Sequence, residues 1–174
     1  GPTHPLSNLY PTPLWVDGYE FKSSEAAYQF YKAMAMAESS TTREDKGYYW
    51  NKAKDIQKTY DPWEAMRLGR FYTNNNWKQI KIEVMRSILK EKYTQCKAYS
   101  DYLDNTKGCR IIENTNNYFW GQGENKDGFN ILGELHEWLR DTCDKTKLEP
   151  YQQSVQGNSR TFSAKPQQPP PTSH

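Results

Sequence analysis

Residues 23–32, with the sequence SSEAAYQFYK, predict the first long helix of the chain, around which the other elements are expected to pack. Ser23 or Ser24 can accept hydrogen bonds from the free N–H groups at the start of a helix. Glu25 places a carboxylate in the first turn, where the helix dipole favours one. Because the Ala- and Met-rich run as far as Met36 contains no Gly or Pro, we expect the helix to continue to that point.

One face of this predicted helix carries three polar side chains of different chemistry. Glu25, Tyr28 and Lys32 stand at i, i+3 and i+7, so they project from the same side over about two turns. Phe30 and Met34 lie among them, which makes the helix mostly apolar. The arrangement is either a surface Glu–Lys pair that lines up by chance or a buried group of functional side chains. The spacing leaves both interpretations open.

Composition limits the class of protein. A length of 174 residues suggests one domain, and 14% aromatic residues predict a core built largely from rings. A net charge of +2 without a basic block argues against tight non-specific nucleic-acid binding. The sequence shows no apolar run long enough to cross a membrane and no signal peptide. Three cysteines without metal-ligand spacing predict reduced thiols, no metal and an intracellular location, cytoplasmic or nuclear.

The other elements are predicted from local signals. Asp17-Gly18 between two short apolar runs predicts a β-hairpin. Asp61-Pro62, with Glu64 completing a capping box, predicts the start of a short helix. Further helices are expected over about 42–58, 74–95, 96–103 and 131–143, a strand over 109–113, and a glycine-rich loop over 118–133. The predicted fold class is therefore mainly α, or α+β, with a few short β-strands.

Candidate chemistry outside the first helix is limited. His4 and His174 lie near the termini, and His136, beside two glutamates, is expected to be solvated; no familiar catalytic triad or zinc site is visible. The loop around Gly121 and Gly123 is either a strand-to-helix connection or a backbone surface that a ligand approaches closely. Arg70 could satisfy helix carbonyls or bind a phosphate.

Several short motifs occur together in one order along the chain. They are LSNLYP at 6–11, VDG at 16–18, SSEAAYQ at 23–29, LGR at 68–70, FWGQG at 119–123, and Gly128, Asn130 and Leu132-Gly133 after them. Together they resemble the NADAR, or YbiA-like, family over roughly residues 6–142. The resemblance implies one YbiA-like helical domain, which we place at 1–148. The Pro-, Gln- and Ser-rich segment 149–174 is predicted to be a disordered tail.

The resemblance also implies a function. Members are N-glycosidases, that is, hydrolases of ribose-linked bases, and the reaction we expect is removal of ADP-ribose from guanine bases in nucleic acid, including DNA. Riboflavin-pathway intermediates are the alternative substrates. No cofactor, metal or membrane partner is implied, and we expect a monomer. Glu25 and Lys32 are the expected catalytic residues, and the expected substrate-binding residues are Asn8, Tyr10, Tyr28, Arg70, Trp120, Gly121, Gly123 and Asn130.

Two positions depart from the family pattern. Ala26 stands where the family has His, and Asn117 stands where it has an acidic residue. These changes leave room for a non-catalytic reader of ADP-ribosylated ligands. If the protein is an enzyme, Lys32 could form a Schiff base with the opened sugar, because an amine among apolar side chains should have a lowered pKa. Alternatively, Lys32 stays charged, pairs with Glu25 and binds phosphate.

Overall fold

Six helices and one small sheet form the regular structure in the computed structural model, which describes residues 2–143. The elements in chain order are β1 (Leu14–Val16), β2 (Tyr19–Phe21), α1 (Ser24–Ser39), α2 (Arg43–Gln57), α3 (Pro62–Leu68), α4 (Asn75–Gln95), α5 (Lys97–Asp104) and α6 (Ile131–Thr142). The mainly α class predicted from the sequence is confirmed. The predicted tail lies outside the described residues.

The helix α1 is the central element. The Ser23 hydroxyl caps it by accepting a hydrogen bond from the Ala26 N–H at 3.1 Å. Nearly all of its side chains are buried, and it contacts α2, α3, α4 and the hairpin. A helix that is covered on every side loses its polar face to the interior, so the polar residues of α1 must find partners there.

The hairpin closes one end of this core. Its strands pair antiparallel with Leu14 opposite Phe21, as Asp17-Gly18 predicts. Both turn residues have positive φ, 51° and 85°, which a two-residue turn that matches the strand twist requires. The Phe21 ring packs 5.1 Å from the ring of Phe30, so the hairpin lies directly on α1.

The predicted helix starts are largely confirmed. The side chains of Thr42, Asp61 and Asn74 each accept a hydrogen bond from a backbone N–H in the first turn of the following helix. The predicted capping box is not formed, because the Glu64 carboxylate instead accepts hydrogen bonds from the Arg67 guanidinium one turn later.

The prediction of a strand at 109–113 is wrong. The segment has no regular secondary structure, and within residues 2–143 the only paired strands are those of the hairpin. The side chain of Asn130 takes the place of a strand. Its Nδ2 donates to the Ile111 carbonyl at 2.9 Å, and its Oδ1 accepts from the Glu113 N–H at 2.8 Å. One side-chain amide therefore satisfies the backbone groups that a neighbouring strand would have paired.

The solvated position expected for His136 is also wrong. Its side chain is fully buried, and Nδ1 lies 2.7 Å from the Tyr99 hydroxyl. Burial lowers the pKa of His136 to about 3, and the nearby Lys92 charge adds to the effect. The residue faces inward beside Leu132 and Leu139 on the apolar side of α6, a position that the flanking glutamates obscured.

None of the helices formed by residues 2–143 combines the length and the apolar character that crossing a bilayer requires.

Replacing Asn130 should destabilise the fold strongly. Asn130→Gly removes both side-chain hydrogen bonds, and we expect a loss of about 2 kcal/mol in the free energy of unfolding. Asn130→Ala should lose about 1 kcal/mol more, because φ is 52° at this residue and alanine resists that conformation. Urea denaturation measures both, with the exposed Asn116→Ala as the control. Equal stabilities for all three variants would contradict the role of Asn130.

The buried His136 should make stability depend on pH. Its folded-state pKa lies below the unfolded value, so the unfolded chain binds more protons and unfolding becomes easier as the pH falls below about 6.5. Between pH 7 and pH 5 this group should cost about 2 kcal/mol. Denaturation of the wild type should show a larger loss over this interval than His136→Gln. The same loss in both proteins would contradict a neutral, buried imidazole.

Candidate functional site

An open cleft of about 1270 Å³ runs along α1. One wall is formed by Glu25, Tyr28, Gln29 and Lys32 of that helix, and other walls come from the segments 6–9 and 110–117. Trp63, Met66, Arg70 and Trp120 also line it. The cleft is larger than a typical site for a small molecule, which occupies roughly 300–1,000 Å³.

Glu25, Gln29 and Lys32 form a connected group on the α1 wall of this cleft. The Gln29 Nε2 donates to Glu25 Oε1 at 2.8 Å, and Lys32 Nζ lies 3.4 Å from Gln29 Oε1. Lys32 Nζ also donates to the Gly69 carbonyl at 2.5 Å. Among the described residues no direct ion pair joins Glu25 to Lys32. The glutamine therefore connects the acid to the amine, whereas the spacing in the sequence suggested a direct pair.

Burial changes the acidity of this group. It raises the pKa of Glu25, while the hydrogen bond from Gln29 and the charge of Lys32 oppose that shift. It lowers the pKa of Lys32, as expected from the sequence, with the Glu25 charge acting in the opposite direction. Burial, reinforced by Glu25, also raises the pKa of Tyr28, so its phenol stays protonated. The interpretation of Glu25 and Lys32 as a fully solvated surface pair is wrong.

The opening segment of the chain holds the start of α1 in position. The Asn8 carbonyl accepts the Glu25 N–H at 3.0 Å, and Asn8 Oδ1 accepts the Ser24 hydroxyl at 2.9 Å. Behind them, the fully buried Lys92 donates to the Ser7 carbonyl at 3.0 Å and lies 3.4 Å from the Ser24 hydroxyl. Asn8 lines the cleft, and its contact with substrate stays a prediction. Lys92 is a structural support that the helical period of α4 alone did not reveal.

Aromatic side chains form the next part of the wall. The ring of Tyr28 meets the ring of Trp120 edge to face at 5.6 Å, and it lies 5.4 Å from the ring of Trp77. Trp120 is half-buried and lines the cleft, so one face can receive a ligand ring. Trp77 is buried in the core, as its helical period predicts. Arg70 stands exposed at the cleft edge.

The structure does not bring Tyr10, Gly121, Gly123 and Asn130 to the cleft wall. Tyr10 packs against the core, and Asn130 holds the segment 111–113. A Cβ at Gly121 would lie 2.8 Å from the Glu113 carbonyl oxygen, so the absence of a side chain allows the loop to pack there. Gly123 has a φ of 75° beside the Tyr118 ring. Gly121, Gly123 and Asn130 shape the glycine-rich loop, and for all four residues the contact with substrate stays a prediction.

Two cleft residues were missed or underrated from the sequence. Glu113 lines the cleft, and burial raises its pKa. The sequence places Glu113 in a predicted strand. Its position a few residues before the glycine-rich loop is the only sequence signal that points to a role in the site. Asn117 also lines the cleft, and its Oδ1 accepts the N–H groups of Phe119 and Trp120 at 2.9 and 2.8 Å. Its amide thus fixes the backbone that leads into Trp120.

Within residues 2–143, no group of three His, Cys, Asp or Glu side chains is arranged so that it could hold a metal ion. The polar groups that line the cleft include two carboxyl groups, an amine, guanidinium groups and side-chain amides. These groups suit an anionic organic ligand with hydroxyl and phosphate groups.

Comparison with known proteins agrees with this picture. The chain is 31% identical over 140 residues to N-glycosidase YbiA of Shigella flexneri, covering 78% of this chain and 79% of that protein. It is 29% identical over 140 residues to a riboflavin biosynthesis protein of Vibrio vulnificus, covering 78% of this chain and 34% of that one. The NMR structure of the Escherichia coli protein YbiA superposes with a TM-score of 0.65 at 27% identity, covering 84% of this chain and 83% of that one.

The family model described as the NADAR domain matches residues 1–143, which include every element of the described fold and both expected catalytic residues. The motif resemblance identified in the sequence is therefore confirmed, and the chain belongs to the NADAR family.

Proposed function

We propose that this protein is an N-glycosidase that removes ADP-ribose from guanine bases in nucleic acid. The observation that carries the proposal is the buried Glu25, connected to Lys32 through Gln29 on the α1 wall of an open cleft. The N-glycosidase name of the Shigella relative supports the reaction class. The size of the cleft supports a substrate larger than a single nucleotide.

The chemistry required is cleavage of the bond between the ribose C1′ and a base nitrogen. The bonding electrons leave with the base, and positive charge develops on the sugar ring. A carboxylate placed beside the sugar in a water-poor site stabilises that charge. Glu25 is suited to this role, and it can accept a proton from the water that attacks C1′. The products are free ADP-ribose and a base that carries hydrogen in place of the sugar.

Lys32 acts on the same sugar through its charge. Its Nζ has two oxygen acceptors, the Gly69 carbonyl and Gln29 Oε1, and Glu25 lies nearby, so the ammonium form has favourable partners despite its burial. A cation in this position suits the phosphate or hydroxyl groups of ADP-ribose. The alternative, a Schiff base between Lys32 and the opened sugar, requires the neutral amine and would be detected by trapping with borohydride.

The remaining cleft residues would bind the rest of the substrate. Trp120 offers a ring face for stacking, with Tyr28 fixing its orientation from the edge. Arg70 at the cleft edge suits the pyrophosphate, because a guanidinium can donate two parallel hydrogen bonds to phosphate oxygens. Asn8 completes the wall beside Glu25. The guanine-containing strand would then enter from the open side.

A second candidate function is that of a non-catalytic reader, and the family departures bear on it. Ala26 is buried in the apolar core and does not line the cleft. Asn117 retains a side-chain oxygen that caps the loop before Trp120. Because Glu25 and Lys32 are both present in the cleft, we favour the enzyme. Riboflavin-pathway nucleotides are the other substrate class, since relatives in Vibrio vulnificus and Arabidopsis thaliana are named for that pathway.

Glu25→Gln should lower turnover about 10²- to 10⁴-fold, because the amide keeps the shape and the hydrogen bond to Gln29 but cannot carry the charge or accept the proton. The measurement is release of ADP-ribose from a guanine-ADP-ribosylated oligonucleotide. Glu124→Gln, at an exposed carboxylate outside the cleft, is the matched control and should keep wild-type turnover. Lys32→Ala is expected to lose activity as well. In the wild type, borohydride should trap no covalent adduct.

Binding of the oligonucleotide without any release by the wild type would contradict the enzyme and favour the reader. Release from riboflavin-pathway nucleotides alone would keep the N-glycosidase and remove the guanine substrate. Full turnover by Glu25→Gln would remove Glu25 from the mechanism.

Gly69→Ala should impair catalysis by displacing Gln29. A Cβ at this position would lie 2.6 Å from Gln29 Cδ, so the side chain that connects Glu25 to Lys32 must move. We expect turnover to fall about 10- to 100-fold, as small displacements of catalytic groups do. Gly47→Ala in α2, where nothing lies within 4 Å of the added Cβ, is the matched control. It should keep full activity and gain about 0.5–1 kcal/mol of stability. Equal activity of the two variants would contradict the role of Gln29.

A further inference from the structure

A second carboxylate reaches the cleft from a different part of the chain. Among the described residues that line the cleft, Glu25 and Glu113 are the only two that carry a carboxylate. Glu25 comes from α1, and Glu113 comes from the segment between α5 and the glycine-rich loop. Glycoside hydrolysis generally employs two carboxyl groups, one near the sugar and one near the leaving group.

The backbone at Glu113 is held firmly. Its N–H donates to Asn130 Oδ1 at 2.8 Å, and its carbonyl accepts the N–H groups of Gln122 at 2.9 Å and Thr115 at 3.0 Å. Gly121 packs against the same carbonyl. The glycine-rich loop and the buried Asn130 therefore fix the Cα of Glu113 at the cleft wall, which is the kind of support that a reacting group requires.

The side chain of Glu113 is less constrained than its backbone. Within residues 2–143 its carboxyl group has no hydrogen-bond or ion-pair partner, whereas the carboxyl group of Glu25 accepts a hydrogen bond from Gln29. The residue is half-buried. Burial raises the pKa of Glu113, although positive charges, that of Lys92 among them, oppose this effect. A carboxyl group that has no protein partner and retains its proton more readily than usual can donate that proton to a ligand.

Asn117, which also lines this part of the cleft, cannot donate a proton as an acid. Its side chain is neutral, and its Oδ1 is used by the N–H groups of Phe119 and Trp120. Glu113 lies four residues earlier in the same segment and lines the same cleft. Glu113 therefore provides this wall of the cleft with an acidic group that Asn117 cannot provide.

We propose that Glu113 is a catalytic residue that protonates the leaving base. The inference rests on the proposed N-glycosidase function. As the C1′–N bond breaks, its electron pair passes to the base nitrogen, which takes the proton from the Glu113 carboxyl group. Water adds to C1′ and gives a proton to Glu25. Exchange with solvent then returns both groups to their starting states, so the net reaction consumes one water molecule and releases ADP-ribose and the neutral base, which carries hydrogen in place of the sugar.

The test compares two substrates that differ in how much help the leaving group requires. One is a guanine-ADP-ribosylated oligonucleotide, and the other carries the same adduct on a guanine methylated at N7, whose base is already positively charged. Glu113→Gln should reduce turnover of the first substrate about 10²-fold or more with little change in KM. It should cleave the methylated substrate within about 10-fold of the wild-type rate, whereas Glu25→Gln should fail on both.

A second variant guards against a folding defect in the first. Glu113→Ala should regain turnover of the unmethylated substrate severalfold when formate is added, because a small external acid can replace the lost carboxyl group. A residue that only shaped the wall would not respond to formate.

The outcomes are separable. Equal impairment of Glu113→Gln on both substrates, without rescue of Glu113→Ala by formate, would overturn the proposed proton donation, as would full turnover by Glu113→Gln. If the wild type cleaved neither substrate, the proposed function would fail and the role of Glu113 with it.

Discussion

The burial of the Glu25 carboxylate at the start of α1 is the constraint on which the rest of the structure depends. A buried carboxylate is costly unless other groups compensate it, and here the Gln29 amide and the Lys32 amine do so along the same helix. The opening segment adds a second attachment, because the Asn8 carbonyl accepts the Glu25 N–H. The buried Lys92 holds that segment in turn. Stability and chemistry therefore rely on the same contacts.

The other side of the cleft is organised by the amide side chain of one residue. Asn130 adopts a left-handed backbone conformation, and its amide spans the backbone of Ile111 and Glu113. The glycine-rich loop packs onto this segment through Gly121. The packing of this loop on the segment places Trp120 and Glu113 at the cleft.

Local signals were sufficient for the elements and insufficient for the long-range polar contacts. Caps and turn residues such as Ser23 and Asp17-Gly18 act within a few residues, so they predict helix starts and the hairpin well. The prediction of a strand at 109–113 was wrong because the backbone of this segment pairs with the side chain of Asn130, 17 residues after Glu113. The prediction that His136 is exposed to solvent was wrong because flanking glutamates do not determine which way a helical residue faces. The bridging position of Gln29 depends on Gly69 and α3, which no local pattern contains.

A crystal structure of Glu25→Gln with an ADP-ribosylated guanine nucleotide bound would test the role of Glu25 most directly. We expect the ribose C1′ to lie against the side chain at position 25, with Trp120 stacked on a ring of the ligand and the guanine edge facing Glu113. A ligand whose ribose lies away from Glu25, against other lining residues such as Tyr102 and Arg110, would contradict the assignment of Glu25 as the residue that stabilises the sugar.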